Sequence, residues 1–179
     1  SLSFTKHFKN SLKKTSGRLR LMEKIRTSLN IDAAESIYKS MIVPLLTYSS
    51  IITLNLNNTQ QELIGKFQNR AARIIRSNTS SELKLPNVLH FSKIQTCMLV
   101  KSCLDQNSCD SFNNYFDYLN HSIGTRNNNI SVKLPRIKLE STKKGFYYYG
   151  AVEFNKLPRD IRELRSIMLF KRALQQHFI

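Results

Sequence analysis

A chain of 179 residues with 41% hydrophobic residues can bury one real core or two small ones, and it falls outside the compositionally disordered class. Its 28 Lys and Arg against 12 Asp and Glu leave a net charge of +16, which opposes compaction unless a polyanion is near; nucleic acid is the commonest such partner and an anionic membrane surface the next. No apolar run approaches the ~20 residues of a membrane span, and 5 glycines with 4 prolines favour helices over a turn-rich β fold.

In chain order, Ser3 to Leu29 reads as one long amphipathic helix. Phe4, Phe8, Leu12, Leu19, Met22, Ile25 and Leu29 fall within one arc, and Lys6, Lys9, Lys13, Arg20 and Lys24 fall opposite. Glu23 is its only acid. A row of flexible cations suits the spaced phosphates of a nucleic acid. The same pattern also suits a membrane surface, a groove for a partner helix or a transit peptide. After the break at Asn30-Ile31, Asp32 is placed to cap a helix from Ala33 to Val43, with Ile37, Met41 and Ala34 inward. Pro44 stops or kinks it. Leu45 to Leu54, with Tyr48 inside, is read as a helical continuation, and Asn55 to Asn58 as a turn.

Gln60 to Ser77 organises the first half of the chain. Leu63, Phe67, Ala71 and Ile74 mark a buried face, while Lys66, Asn69, Arg73 and Arg76 recur on another side. Asn58-Thr59 can cap this helix and Ser77 to Ser81 end it. A loop follows to Phe91, with Pro86 in it, and then a helix from Ser92 to Asp105 carrying Ile94, Met98, Leu99 and Leu104. Phe112, Tyr115, Phe116 and Leu119 sit at helical spacing within Ser108 to Asn120, and His121 to Asn129 is a polar loop. From Ile130, Val132, Leu134, Ile137 and Leu139 nearly alternate with Lys133, Arg136 and Lys138, which favours an extended arm. Phe146 to Ala151 opens a short aromatic helix or turn. Pro158 can start a turn through Ile161 and Arg162, and Ser166 caps a final helix with Leu169 or Phe170, Leu174 and Phe178.

The sequence offers no catalytic constellation: no paired acids ending an apolar strand, no phosphate-binding glycine loop, and four scattered histidines. Cys97, Cys103 and Cys109 form neither a C-x-x-C pair nor a disulfide framework. A zinc site joining them to His90 or His121 would need loop geometry that the spacing does not supply, and buried thiols are the simpler reading. No cofactor is therefore expected. What remains is binding, through four basic patches: the first helix, Arg70/Arg73/Arg76, Lys133 to Lys144, and Lys156 to Arg172. Aromatic residues Phe146 to Tyr149 beside the third suit stacked bases, or else pack a small core.

Several words of the sequence resemble the region after the polymerase domain in reverse transcriptases of non-LTR, jockey-like retrotransposons. They are Ser3-Phe4 with His7-Phe8 and Leu19 to Arg26; Ile37 to Pro44 with Leu46 and Tyr48; Gln68 to Ile75; His121-Ser122 with Thr125-Arg126; and Leu134-Pro135-Arg136 with Phe146 to Asn155, Leu157-Pro158, Ile161-Arg162, Phe170-Lys171 and Leu174. The chain departs from that pattern at Phe154, where the family has tryptophan, at Tyr149, where arginine is usual, and at Glu153, where leucine is usual.

The resemblance implies a thumb-like helical bundle over about 1–77, a connecting loop and helix over 78–107, and a C-terminal linker-like lobe over 108–179. The fold class expected is mostly α, with a smaller mixed α+β C-terminal lobe. It implies binding of template–primer, element RNA or target DNA, beside the palm and fingers of the same polyprotein, in nucleus and cytoplasm. The parent would be the enzyme and this fragment would not. Phosphate contacts are expected from Lys6, Lys9, Lys13, Arg20, Lys24, Arg70, Arg73, Arg126, Arg136, Lys143 and Lys144. The other readings are a membrane-surface or partner-binding helical protein and a decayed retroelement relic.

Overall fold

The computed structural model describes residues 5–48, 56–76, 85, 87–105, 112, 115–119, 130–143 and 145–178. Phe4, Pro86, Cys109, His121, Arg126 and Lys144 lie outside them. So do the stretches 49–55, 77–84, 106–111 and 120–129, with the helix, turn and loop readings made there. The chain divides into two compact units, 1–92 and 93–179.

The first unit opens with α1, Thr5–Ile25, extended by a 3₁₀ turn at Arg26–Ser28. Phe8, Thr15, Leu19 and Met22 are buried on one face. Thr15 is tolerated there because its hydroxyl donates to the carbonyl of Ser11 at 2.7 Å. Ile25, expected on the apolar face, is 48% exposed. The chain tightens into the 3₁₀ turn after it, and Arg26 goes inward instead.

Asn30, not Asp32, caps α2 (Ile31–Ile37): its side chain accepts the Ala33 amide at 2.8 Å. Helical backbone then continues through a π turn, Tyr38–Ile42, into α3, Val43–Thr47. Pro44 explains the widened turn. It has no N–H to give and its ring would strike the carbonyl four residues back, so the ladder opens by one residue ahead of it. The extra residue rotates the buried face. Ala34, Tyr38, Ile42, Val43 and Leu46 are buried, whereas Met41, expected inside, is exposed. Described helix ends at Thr47, and Tyr48 is exposed.

Helix α4, Asn58–Arg76, begins two residues before Gln60, so Asn58-Thr59, assigned as its cap, lie inside it. Asn57 and Gln60 satisfy each other's amides reciprocally, at 2.9 and 3.1 Å, as a capping box. Its buried residues are Ile64, Phe67, Ala71 and Ile75. Leu63 is exposed and Ile74 only partly covered, so the apolar face is turned slightly from the expected one. These side chains, with Phe8, Leu19, Met22, Ala34, Tyr38, Ile42 and Val88, form the core of the first unit. Burial pushes the Tyr38 hydroxyl above its ordinary pKa, and the neighbouring Gln68 side chain offsets part of the rise.

Helix α5, Val88–Leu104, starts earlier than Ser92, because the Asn87 side chain caps it by accepting the Leu89 amide at 2.9 Å. The division between the two units falls within this helix. Ile94, Cys97, Val100 and Cys103 enter the core of the second unit. Phe112 and 115–119, expected at helical spacing, are not helical: Tyr118 pairs antiparallel with Val132 in an isolated bridge. Short helices follow: α6 (Glu140–Lys143), α7 (Phe146–Asn155), α8 (Arg159–Arg162) and α9 (Ile167–Phe178). In α9 Phe170 and Leu174 are buried, and Leu169 is exposed.

The expected mixed α+β lobe is not what forms: among the described residues there is no strand. The reason is local. On one side Val132 meets Tyr118, and on the other the Asn155 amide closes its backbone, accepting from Val132 N and donating to Val132 O, both at 2.8 Å. A side chain thus occupies the place where a neighbouring strand would begin. Residues 133–139 carry no regular secondary structure.

Candidate functional site

Helix α1 carries seven Lys and Arg in 21 residues. Lys6, Lys9, Lys13, Arg20 and Lys24 are all exposed, and at ~100° per residue they share an arc of roughly 60°. Among the described residues none of the five is in an ion pair. Arg18, on another side, donates to the Met41 carbonyl at 2.9 Å.

Beyond the shared apolar core, two side chains from α1 and its following turn reach polar groups of α4. Arg70 Nη2 lies 2.9 Å from the Glu23 carboxylate, and Arg26 reaches the last turn of α4. Between them lies an open groove of about 480 Å³, lined by Glu23, Arg26, Thr27, Arg70, Arg73 and Ile74. Arg73 is exposed on its wall. Arg20 and Lys24 are within one turn of Glu23, so the cationic arc of α1 adjoins the groove. Lys66 stands one turn before Arg70 on the same side of α4. The Glu23–Arg70 pair is half-exposed on both sides, a setting in which such pairs contribute ~0–1 kcal/mol. A phosphate can therefore compete for Arg70 at little cost.

Arg26 is not part of this available charge. It is buried, and its Nε and Nη2 donate to the Ile75 carbonyl at 2.9 and 2.5 Å. Nε also reaches the Ile74 carbonyl at 3.2 Å, and Nη1 the Leu29 carbonyl at 2.7 Å. It satisfies carbonyls at the end of α4 and opposes the negative end of that helix dipole. Reading the sequence missed this residue. Its one signal was phase: Arg26 follows Met22 by four residues and so sits on the apolar arc.

In the second unit the expected cations meet different fates. Arg136 is exposed on the 133–139 segment, as are Lys133 and Lys138. Lys143 is only partly exposed and pairs with Glu140, whose carboxylate raises its pKa. The basic patch from Lys156 to Arg172 is half engaged, with Arg165, Lys171 and Arg172 exposed. Lys156 holds the buried Glu153 carboxylate at 2.6 Å, with Lys93 at 3.8 Å. Arg159 pairs with Glu163 at 2.6 Å, and Arg162 is buried with Nη1 donating to Ser131 Oγ at 2.8 Å. Burial, reinforced by Arg159, lowers the Arg162 pKa. Burial and the Glu153 charge push the Cys97 thiol up to about 12 and the Tyr149 hydroxyl far above its ordinary value. Cys97 and Cys103 are buried thiols. A protonated, enclosed Cys97 is a poor nucleophile.

The site therefore offers guanidinium and ammonium groups beside an open groove. Among the described residues no cluster of His, Cys, Asp and Glu is arranged to hold a metal, and no helix is long and apolar enough to cross a membrane. No family model, curated protein or solved structure matches the chain.

Proposed function

We propose that this chain is a nucleic-acid-binding fragment of a retrotransposon RNA-directed DNA polymerase, without a catalytic site of its own. In this reading the first unit is thumb-like and grips template–primer, and the second holds element RNA or target DNA beside the palm and fingers of the parent polyprotein. The ordered sequence words described above support the family. The observation that carries the binding reading is the row Lys6, Lys9, Lys13, Arg20 and Lys24, exposed, without ion pairs among the described residues, and next to the groove that holds Arg70 and Arg73. Such a row gains by releasing counterions from a phosphate backbone.

Filter binding of duplex and single-stranded oligomers across a salt series tests it. Affinity should fall steeply with salt, and the log–log slope should shrink by about 0.7–0.9 for each phosphate contact removed in Lys9→Glu, Lys13→Glu and Lys24→Glu. Glu23→Gln should tighten binding several-fold at low salt, since it frees Arg70 and removes the only acid of α1. Affinity that ignores salt, or is indifferent to all four substitutions, rejects the proposal. Flotation with anionic liposomes in the absence of nucleic acid would instead favour a membrane-surface role.

A further inference from the structure

The aromatic side chains of the second unit gather around Tyr115. Its ring lies 5.5 Å from Phe112, 5.9 Å from Phe116, 6.5 Å from Phe146 and 5.0 Å from Tyr147, centroid to centroid. Phe116 is a core residue and anchors the group from beneath, 5.4 Å from Phe146 and 5.7 Å from Tyr147. Yet Phe112, Tyr115 and Tyr147 are 38%, 40% and 43% exposed. One exposed ring is ordinary on a protein surface; three neighbouring rings held by their own contacts mark a binding surface.

The rim of this surface says what it binds. The Lys133 amide donates to the Asp117 carbonyl at 2.9 Å, so the 133–139 segment leaves from beside Phe116. That segment presents Lys133, Arg136 and Lys138 to solvent, with no ion pair among the described residues. An apolar protein partner would bring no charge to meet these cations. A single-stranded nucleic acid brings both halves of the match: phosphates for the cations and base faces for the rings.

We propose that Phe112, Tyr115 and Tyr147 form a stacking platform for unpaired bases of a single strand, with Lys133, Arg136 and Lys138 on its phosphates. This inference rests on the nucleic-acid-binding reading above and goes further, because it separates what the second unit recognises from the phosphate track of α1. Phe146 lies near-parallel to one face of Tyr115 and Tyr147 meets Tyr115 edge-to-face, yet both tyrosines keep exposed ring surface; every base offers a π face, so the platform is tolerant of sequence.

The test compares the whole chain on two oligomers of about twelve nucleotides, a length within the range of single-strand sites. One is oligothymidylate and the other an abasic backbone with the same phosphates. The base-bearing oligomer should bind about five- to a hundredfold tighter. Tyr115→Ala should erase most of that preference while leaving abasic binding and its salt slope unchanged, and Tyr115→Phe should keep the preference. Tyr115 touches four rings, so Tyr147→Ala serves as a second variant, with circular dichroism to confirm helicity. Equal affinity for both oligomers overturns the platform and leaves the phosphate reading standing. An equal loss on both oligomers in a folded Tyr147→Ala protein overturns it too, as does a self-association abolished by Tyr115→Ala, which would assign the rings to a second copy. Failure to bind either oligomer at low salt removes both proposals.

Discussion

Replacing Arg26 with alanine should cost the first unit more than replacing any cation of the exposed row. The guanidinium donates to three carbonyls, those of Leu29, Ile74 and Ile75, and two of its nitrogens converge on the last. Hydrogen bonds from a charged donor contribute ~1.5–3 kcal/mol each, and they are not additive when they share one group. A carbonyl left buried without a donor costs ~1–3 kcal/mol. The favourable interaction of a cation with the end of α4 adds up to ~1 kcal/mol. Taken together these place Arg26→Ala near 3–4 kcal/mol, a large share of the ~5–15 kcal/mol that holds a domain folded. With a urea slope of ~2 kcal/mol per molar, the midpoint should move down by about 1.5–2 M, followed by far-UV circular dichroism. Arg26→Lys keeps the charge but loses the planar fork, and should recover about half of the loss. Lys13→Ala, exposed, should stay within about 0.5 kcal/mol of the parent. If Arg26→Ala also stays within that limit, the guanidinium is not capping α4 and the packing described for the groove is wrong.

Glycine substitutions should split by environment. A Cβ at Gly150 would come within 2.9 Å of Val100 Cγ2 and 3.1 Å of Phe146 Cε2, so Gly150→Ala should lose about 1–3 kcal/mol despite better helix propensity; a stabilised variant in the same urea titration refutes that. At Gly17 and Gly65 nothing lies within 4 Å of the added carbon, and alanine should gain about 0.5–1 kcal/mol, checked by the thermal midpoint. Stability should also fall in alkali. The folded state holds Cys97 protonated up to about 12, against an ordinary 9.0, so the unfolded chain releases that proton first and folding weakens as pH rises through 9 toward 12. By pH 11 this amounts to about 2–3 kcal/mol, with Tyr149 adding to it in the same direction. Urea midpoints at pH 7 to 11 should therefore decline less in Cys97→Ala/Tyr149→Phe, and equal declines in variant and parent would refute the assignment.

The helical character of the chain was legible, because Phe8, Leu19, Met22, Phe67, Ala71, Phe170 and Leu174 repeat at the helical period and are buried as that period requires. Finer placement was not. Leu63-Ile64 and Ile74-Ile75 are adjacent apolar pairs, so either member fits the period, and tertiary contact decides for the second. The π turn ahead of Pro44 inverts the roles of Met41 and Ile42; the proline announces a stop or kink, but not that the ladder widens by one residue and continues. The cations of α1 could be found because exposure is their default; Arg26 could not, since its acceptors Ile74 and Ile75 lie 48 and 49 residues away. The alternation from Val132 to Leu139 was read as an extended arm; Val132 forms an isolated bridge, residues 133–139 carry no regular secondary structure, and Asn155 holds the side of Val132 where a second strand would pair. The run Phe146 to Tyr149 was read as suited to stacked bases or to a small core, but Phe112 and Tyr115 were not joined to it, since they meet Tyr147 only through the fold.

Asn155 sits at the last position of α7, 23 residues after the peptide it grips. Its amide oxygen accepts from, and its amide nitrogen donates to, one and the same residue, so it distinguishes the proper alignment from a slip of one place as a key does. Val132 is thereby clamped from both directions of the chain, by the backbone of 117–119 that precedes it and by a helix end that comes after it.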